Sequence, residues 1–205
     1  MAFGKPGRPK EDRQLRQREI YLAVTPLILS EGARRLTMRE AAHAACLSVG
    51  GLYHYFPIKR ELVLHGLDND ARERVCREHR QQFKALPELS FKQRVEVFLD
   101  LAIELSFGFI YPAIQAALEL GGGTLQEMLD AGLSDSVDEL TEGLGELLPE
   151  MPPSDLTTLG RAIRHTTLGL LVDRNIHPDD MRRQLRVLIV SAGERSQPAP
   201  VAATG

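Results

Sequence analysis

The 205-residue chain has no tryptophan, only two cysteines and an aromatic fraction of 5%. Cys46 and Cys76 are far apart and lack metal-ligand spacing, so no disulfide scaffold or zinc site is encoded. Both read as reduced thiols, with a redox-sensing pair as the alternative. No uninterrupted apolar run reaches the roughly 20 residues that cross a bilayer. Lys5, Arg8, Lys10, Glu11, Asp12 and Arg13 crowd the place where a secretion signal would have its apolar stretch, so a cytoplasmic protein is expected. Apolar and polar residues nowhere alternate with period two over a useful length, which argues against half-buried strands and leaves an all-α fold. Also missing are His and carboxylate pairs at metal spacing, a Gly-framed nucleophilic Ser, and a phosphate-cradling Gly loop ending in Lys-Ser or Lys-Thr. The expectation is therefore a protein that is not an enzyme, with no metal and no cofactor. No internal repeat is visible.

The apolar fraction of 43% and charged fraction of 26% are ordinary for a globular protein. The net charge of −3 is unevenly placed: through His65 there are eleven Lys and Arg against six Asp and Glu, which leaves −8 on the remainder. A basic head on an acidic body suits a protein that presents one end to a polyanion, because neutralised phosphates release counterions. A small basic segment is also a common solvated surface.

Gly4, Pro6, Gly7 and Pro9 keep residues 1–11 from regular helix, so they read as a flexible basic arm. Its Pro-Gly-Arg-Pro-Lys run resembles the Arg-centred cores that enter A·T-rich minor grooves, a non-contacting tail being the other reading. From Asp12 to Glu31, Leu15, Ile20, Ala23, Val24, Leu27 and Ile28 recur at steps of three and four, the period of a helix with one buried stripe, and Gly32 supplies a C-cap. Pro26 predicts a kink. Thr37 with Glu40 is a capping-box pattern for a short helix through about Ala44. Ser48 caps a second, which runs through about Tyr55 and is stopped by Pro57. Two short capped helices separated by a tight turn and preceded by a longer one are the sequence form of a helix-turn-helix at residues 12–58.

A helical body is expected at 59–195. Its helices are predicted from Lys59 to about Ala85, from Phe91 to about Phe107, from about Pro112 to Leu120, from Thr124 to Leu148 past a break at Gly121, Gly122 and Gly123, from a Ser154 cap to Val172, and from near Pro178 to Gly193. Residues 196–205, rich in Pro and Ala, read as a disordered tail.

Within the head, Met38, Ala41, Ala42, Ala45, Leu47, Leu52 and Phe56 lie where the short helices must face each other. Arg39, Val49, Gly50, Tyr53 and His54 then face outward, toward base edges and phosphates. The stretch Gly51-Leu-Tyr-His-Tyr-Phe-Pro57, followed by Lys59 and Glu61 and preceded by Thr37, Ala42, Ala45 and Ser48, resembles the DNA-binding signature of TetR-like (TetR/AcrR-type) transcriptional regulators. The resemblance covers about residues 16–66. It implies a DNA-binding set of Thr37, Arg39, Ser48, Val49, Gly50, Tyr53, His54 and Lys59, with Thr37, Tyr53 and Lys59 on phosphates. Arg39 and His54 are the candidates for base reading, since Arg can pair bidentately with guanine. Solvated or half-buried roles remain open for Tyr53, His54 and Lys59. Three positions depart from the family pattern: Cys46 replaces a turn Gly, Val49 replaces a frequent Lys, and Pro26 interrupts the first helix.

The resemblance also implies a small-molecule effector bound within the body and a homodimer through the last two helices, whose apolar stripes include Leu185, Leu188 and Ile189. The aromatic run around Gly108 and Pro112 suggests a pocket walled by Phe98, Leu105, Phe107, Phe109, Tyr111 and Met128, with His165 as a polar anchor. Plain core roles are the alternative for all of them, His165 included. The function expected is a ligand-responsive repressor released from a palindromic operator by a small apolar effector. An effector-independent architectural or division-control protein on the same scaffold is the rival, and a helical enzyme the more distant one.

Overall fold

The computed structural model describes residues 12–68, 70, 71, 74, 77, 78, 89–121 and 136–196. The basic arm, Cys76, Met128, residues 124–135 of the helix expected before Leu148, and the tail beyond Ser196 lie outside them. Among the described residues every regular element is helical. The helix α1 (Arg13–Glu31) starts on Asp12, whose side chain accepts from the Gln14 and Leu15 amides, and ends on Gly32 at φ 86°. It continues through Pro26, which is exposed, so water can serve the Leu22 carbonyl that the proline leaves without a donor. The helices α2 (Met38–Ala44) and α3 (Val49–Tyr55) follow, capped as their sequences predict.

The long helix expected from Lys59 is broken early. The helix α4 (Lys59–Leu64) tightens into a 3₁₀ turn at His65–Leu67, and Asp68 is extended. Asp68 Oδ1 then accepts the Ala71 amide at 2.9 Å, and Asp70, Ala71, Arg74, Arg77 and Glu78 are helical again. The cause is local: an Asp that caps the next helical turn favours a fresh start over continuation.

The break expected at Gly108 and Pro112 is absent. The helix α5 (Phe91–Leu105) passes into a π-helical segment, Ser106–Ile110, and on into α6 (Tyr111–Leu120). There the Tyr111 amide reaches back five residues to the Ser106 carbonyl. The wider turn accommodates a proline that has no N–H and whose ring would clash with the carbonyl one normal turn earlier.

Next come α7 (Ser136–Leu147), α8 (Pro153–Leu171) and α9 (Pro178–Ser196). Pro152 and Pro153 start α8, not Ser154, whose hydroxyl turns to Asp155 at 3.2 Å. Proline is suited to that position because its fixed φ costs no hydrogen bond in a first turn.

The head closes on Ile20, Tyr21, Val24, Ile28, Leu36, Ala41, Ala42, Leu52 and Phe56, and the same core continues without a gap into the body. There α8 packs between α7 and α9, α9 lies on α5, and α6 packs on α4 and α1. By length and composition Phe91–Leu120, with mean hydropathy 1.7, would suffice to cross a membrane. Its apolar side chains instead fill the chain's own core at Val95, Phe98, Leu99, Phe109, Ala113, Ile114 and Ala117. Glu96 and Asp100 on the same stretch pair with Arg186 and Arg182 of α9.

Candidate functional site

The site is built on the turn between α2 and α3. Ala45, Cys46 and Leu47 reverse the chain there, with the Leu47 amide on the Ala42 carbonyl at 2.8 Å. Cys46 takes φ 53°, the conformation a glycine adopts at least cost. The turn lets Ala41, Ala42, Ala45, Leu52 and Phe56 enter the core, with Met38 and Leu47 packed against it. The opposite face of α3 is open. Val49 is 39% and Tyr53 46% exposed, Gly50 and His54 are exposed, and a Cβ at Gly50 would meet nothing within 4 Å. A helix with one face fixed and the other bare is the geometry a major groove accepts.

The caps decide which hydroxyls can still donate. Thr37 Oγ1 accepts the Glu40 amide at 3.2 Å and donates to Glu40 Oε2 at 2.7 Å, and the Thr37 amide donates to the same oxygen at 2.8 Å. These bonds hold the Glu40 carboxyl below its ordinary pKa. Thr37 can donate to a phosphate only at the expense of Glu40. Ser48 Oγ accepts the Gly51 amide at 3.0 Å and keeps its own proton to give. Arg39 is exposed on α2.

Lys59 is half-buried, and its ammonium donates to the carbonyls of Arg34 at 3.1 Å and Leu36 at 3.0 Å. It therefore ties the turn before α2 to the start of α4, with one N–H left over for a phosphate.

Two residues outside the expected set complete the head. Arg13 Nη2 donates to the His54 carbonyl at 2.8 Å, and its guanidinium lies 5.9 Å from the centre of the Tyr55 ring. Gln17 Nε2 donates to the Tyr55 carbonyl at 2.9 Å. They satisfy the open carbonyls at the C-terminal end of α3, where a cation is favoured. Asp12 at the head of α1 is held down to about 2 first by its bond to Arg74, 2.6 Å away. No spacing rule links residues so distant along the chain.

In the body, the expected pocket residues do not share one wall. Phe98 and Phe109 are core, 7% and 3% exposed. Phe98 lies against α7 beside Gly143, while Phe109 meets Tyr21 and His65 edge-on at 5.1 and 5.8 Å. Leu105 packs against the core. Phe107 pairs with Tyr111 at 5.6 Å, and Tyr111 Oη donates to the Arg174 carbonyl at 2.9 Å. His165 is exposed on α8, so neither a core role nor an anchor inside the bundle describes it. An open groove of about 740 Å³ instead runs between α8 and α9, past Asp155, Thr158, Ala162, Val187, Ser191 and Arg195. Leu185 and Ile189 of the expected stripe are buried inside the chain's own core, whereas Val187 is 64% exposed.

Residues 25–65 match the family model for bacterial regulatory proteins of the tetR family. No functionally curated protein matches the chain. Among solved structures, a TetR-family transcriptional regulator from Rhodococcus sp. is similar at 19% identity, covering 87% of this chain and 98% of that one, with a TM-score of 0.57. PfmR, a TetR-family regulator from Thermus thermophilus, matches at 18% identity over 85% and 97% of the two chains, with a TM-score of 0.55. FadR, a TetR-family repressor from the same species solved with lauroyl-CoA, matches at 18% over 92% and 99%, with a TM-score of 0.51. Residues 25–65 thus carry the helix-turn-helix of tetR-family regulators, joined to a body that shares the fold of such regulators along nearly their whole length.

Proposed function

We propose that the chain is a cytoplasmic, homodimeric repressor whose head, residues 12–58, binds a palindromic operator and whose body, residues 59–195, releases it on binding a small apolar effector. The observation that carries the DNA-binding part is the bare face of α3, with Tyr53, His54 and Val49 presented while Leu52 and Phe56 hold the opposite side in the core. Ser48, Tyr53 and the spare N–H of Lys59 serve phosphates, and Thr37 does so by exchanging its partner. Arg39 and His54 read base edges across Gly50. The dimer forms through α8 and α9, where the groove and exposed Val187 await a second copy. Two-fold symmetry then sets the recognition helices about one DNA turn, ~34–36 Å, apart or at a longer multiple.

An apolar effector suits a body whose fold, in FadR, has been captured with lauroyl-CoA. Release requires the effector to prefer a body conformation in which the heads no longer match adjacent grooves, and it shifts occupancy only as far as that preference extends. The second reading, an effector-independent architectural protein, draws support from the close packing of Phe98 and Phe109. Footprinting on DNA flanking the chain's own gene, with and without a panel of hydrophobic ligands, separates the two. Tyr53→Ala is expected to abolish the footprint and leave dimerisation in sedimentation unchanged. Full affinity in that variant would remove α3 from the interface.

A further inference from the structure

Glu119, near the end of α6, joins three parts of the molecule that are remote in sequence. Its Oε1 lies 2.6 Å from Arg174 Nη2, in the connection between α8 and α9. Its Oε2 accepts the backbone N–H of Arg34 at 3.4 Å, in the turn between α1 and α2. The same carboxylate fills the space beside Gly32, where a Cβ would lie 2.7 Å from Oε2. At φ 86°, Gly32 supplies both the backbone conformation and the room.

Arg174 is fixed at its root although its tip is exposed. Tyr111 Oη donates to the Arg174 carbonyl at 2.9 Å, and Gln115 Oε1 accepts from Arg174 Nε at 3.2 Å. Gln115 is 4% exposed, and its Nε2 donates to the carbonyl of Leu171, the last residue of α8, at 2.9 Å. Tyr111, Gln115 and Glu119 recur every fourth residue and so form one row along α6. From the other side, Lys59 holds the same α1–α2 turn by the carbonyls of Arg34 and Leu36. The turn that leads directly into the Thr37 cap is thus gripped by α4 on its carbonyls and by α6 on an amide.

We propose that Glu119 is a positioning residue for DNA recognition, passing the placement of the α8–α9 connection through α6 to the α1–α2 turn and so to α2 and α3. The proposal rests on the reading of α2 and α3 as the operator-binding pair. A half-exposed ion pair such as Glu119–Arg174 adds little to folding stability, because solvent screens it. Its loss therefore changes where the head sits far more than whether the chain folds.

The test uses the full-length protein and three variants: Glu119→Ala, Arg174→Ala and the double. Operator affinity is read by anisotropy on a fragment that the parent protein binds, and amide hydrogen exchange is read across residues 32–36 in free protein. Each single variant is expected to weaken operator binding roughly 5- to 20-fold, a usual size for coupling between sites. The double variant is expected to be no weaker than the worse single one, because the two residues act through one contact. Exchange at Arg34 quickens in all three, while the melting temperature and the sedimentation of the dimer stay put. A fourth variant, Glu119→Gln, which retains an acceptor for the Arg34 amide but not the charge for Arg174, falls between the parent and these three. Unchanged affinity and exchange in Glu119→Ala, or additive losses in the double variant, would overturn the proposal. If the parent binds no duplex from its genome, the operator reading of the head fails, and exchange at Arg34 still decides whether the latch exists.

Discussion

The head depends on single residues that take positions their type does not favour. Cys46 is the clearest, a side chain at φ 53° in a turn whose flanking bonds, the Cys46 amide to His43 and the Leu47 amide to Ala42, fix the conformation. A non-glycine residue there costs roughly 1–2 kcal/mol, and a glycine would cost roughly 0.5–1 kcal/mol in extra unfolded-state entropy. Cys46 is exposed, so little packing is lost with its side chain. Cys46→Gly is therefore expected to stabilise the protein by up to about 1 kcal/mol, seen as a higher urea midpoint at unchanged slope. A lower midpoint would mean that the thiol makes a contact worth more than the strain. This departure was readable from the sequence through the resemblance to TetR-like regulators, which place a turn glycine there, while the Thr37–Glu40 box and the Ser48 cap located the turn. The bonds of Lys59 to the Arg34 and Leu36 carbonyls were not readable, since these partners become neighbours only when α4 folds back on the turn.

Element by element, the helices follow the apolar period, and their interruptions do not. A pattern of three and four continues across His65–Leu67, where the structure has a 3₁₀ turn, whereas Gly108 and Pro112 pointed to a break at Ser106–Ile110, where the structure has a π segment. The two irregularities meet. Gly66 packs so closely on the Phe109 carbonyl that no side chain fits between them, and Tyr21 Oη donates to that same carbonyl at 2.7 Å. Such a close approach follows from tertiary packing, which periodicity does not encode. Beside it His65 is enclosed by the rings of Tyr21, Phe56 and Phe109, and its Nε2 has no hydrogen-bond partner among the described residues. Burial lowers its pKa below the ordinary value near 6.5, Asp68 pulling weakly the other way, while burial pushes the Tyr21 phenol up and keeps it neutral. Native His65 thus stays neutral at pH values where the unfolded chain takes up a proton. Stability from this joint is full above about pH 6.5 and is lost progressively as pH falls from there toward the lower native value. His65→Phe keeps a ring in the cage and removes both the titration and the unpaired nitrogen. Thermal melts of that variant between pH 5 and 7.5 are expected to lose part of the parent's acid-side slope; an identical slope would assign the acid sensitivity to other groups.

At the scale of the molecule, the head carries the specific sequence signal and the body only a pattern. The family model stops at residue 65, whereas the structural likeness extends over 85–92% of the chain at 18–19% identity. A groove-facing helix constrains side chains individually, but a bundle core asks only for apolar residues of suitable volume at the right period. The same looseness misassigned the outer stripe of the last two helices: Leu185 and Ile189 fit the period of a face between copies, yet they fill the chain's own core. What is left to face a second copy is narrower, with Val187 beside the α8–α9 groove and the half-buried Leu188 at its edge. Placing a guanidinium at position 187 would bury an unpaired charge in every dimer while leaving the monomer's core untouched. Val187→Arg is accordingly expected to sediment as a folded monomer at micromolar concentration, with a helical circular-dichroism spectrum like the parent's. Two heads that no longer share a body bind half-sites independently, so operator affinity should fall about 100-fold or more. Shortening the operator to a single half-site should then cost the variant little and the parent much. A dimer that persists in Val187→Arg would move the interface away from α9, and with it the expected spacing of the two recognition helices.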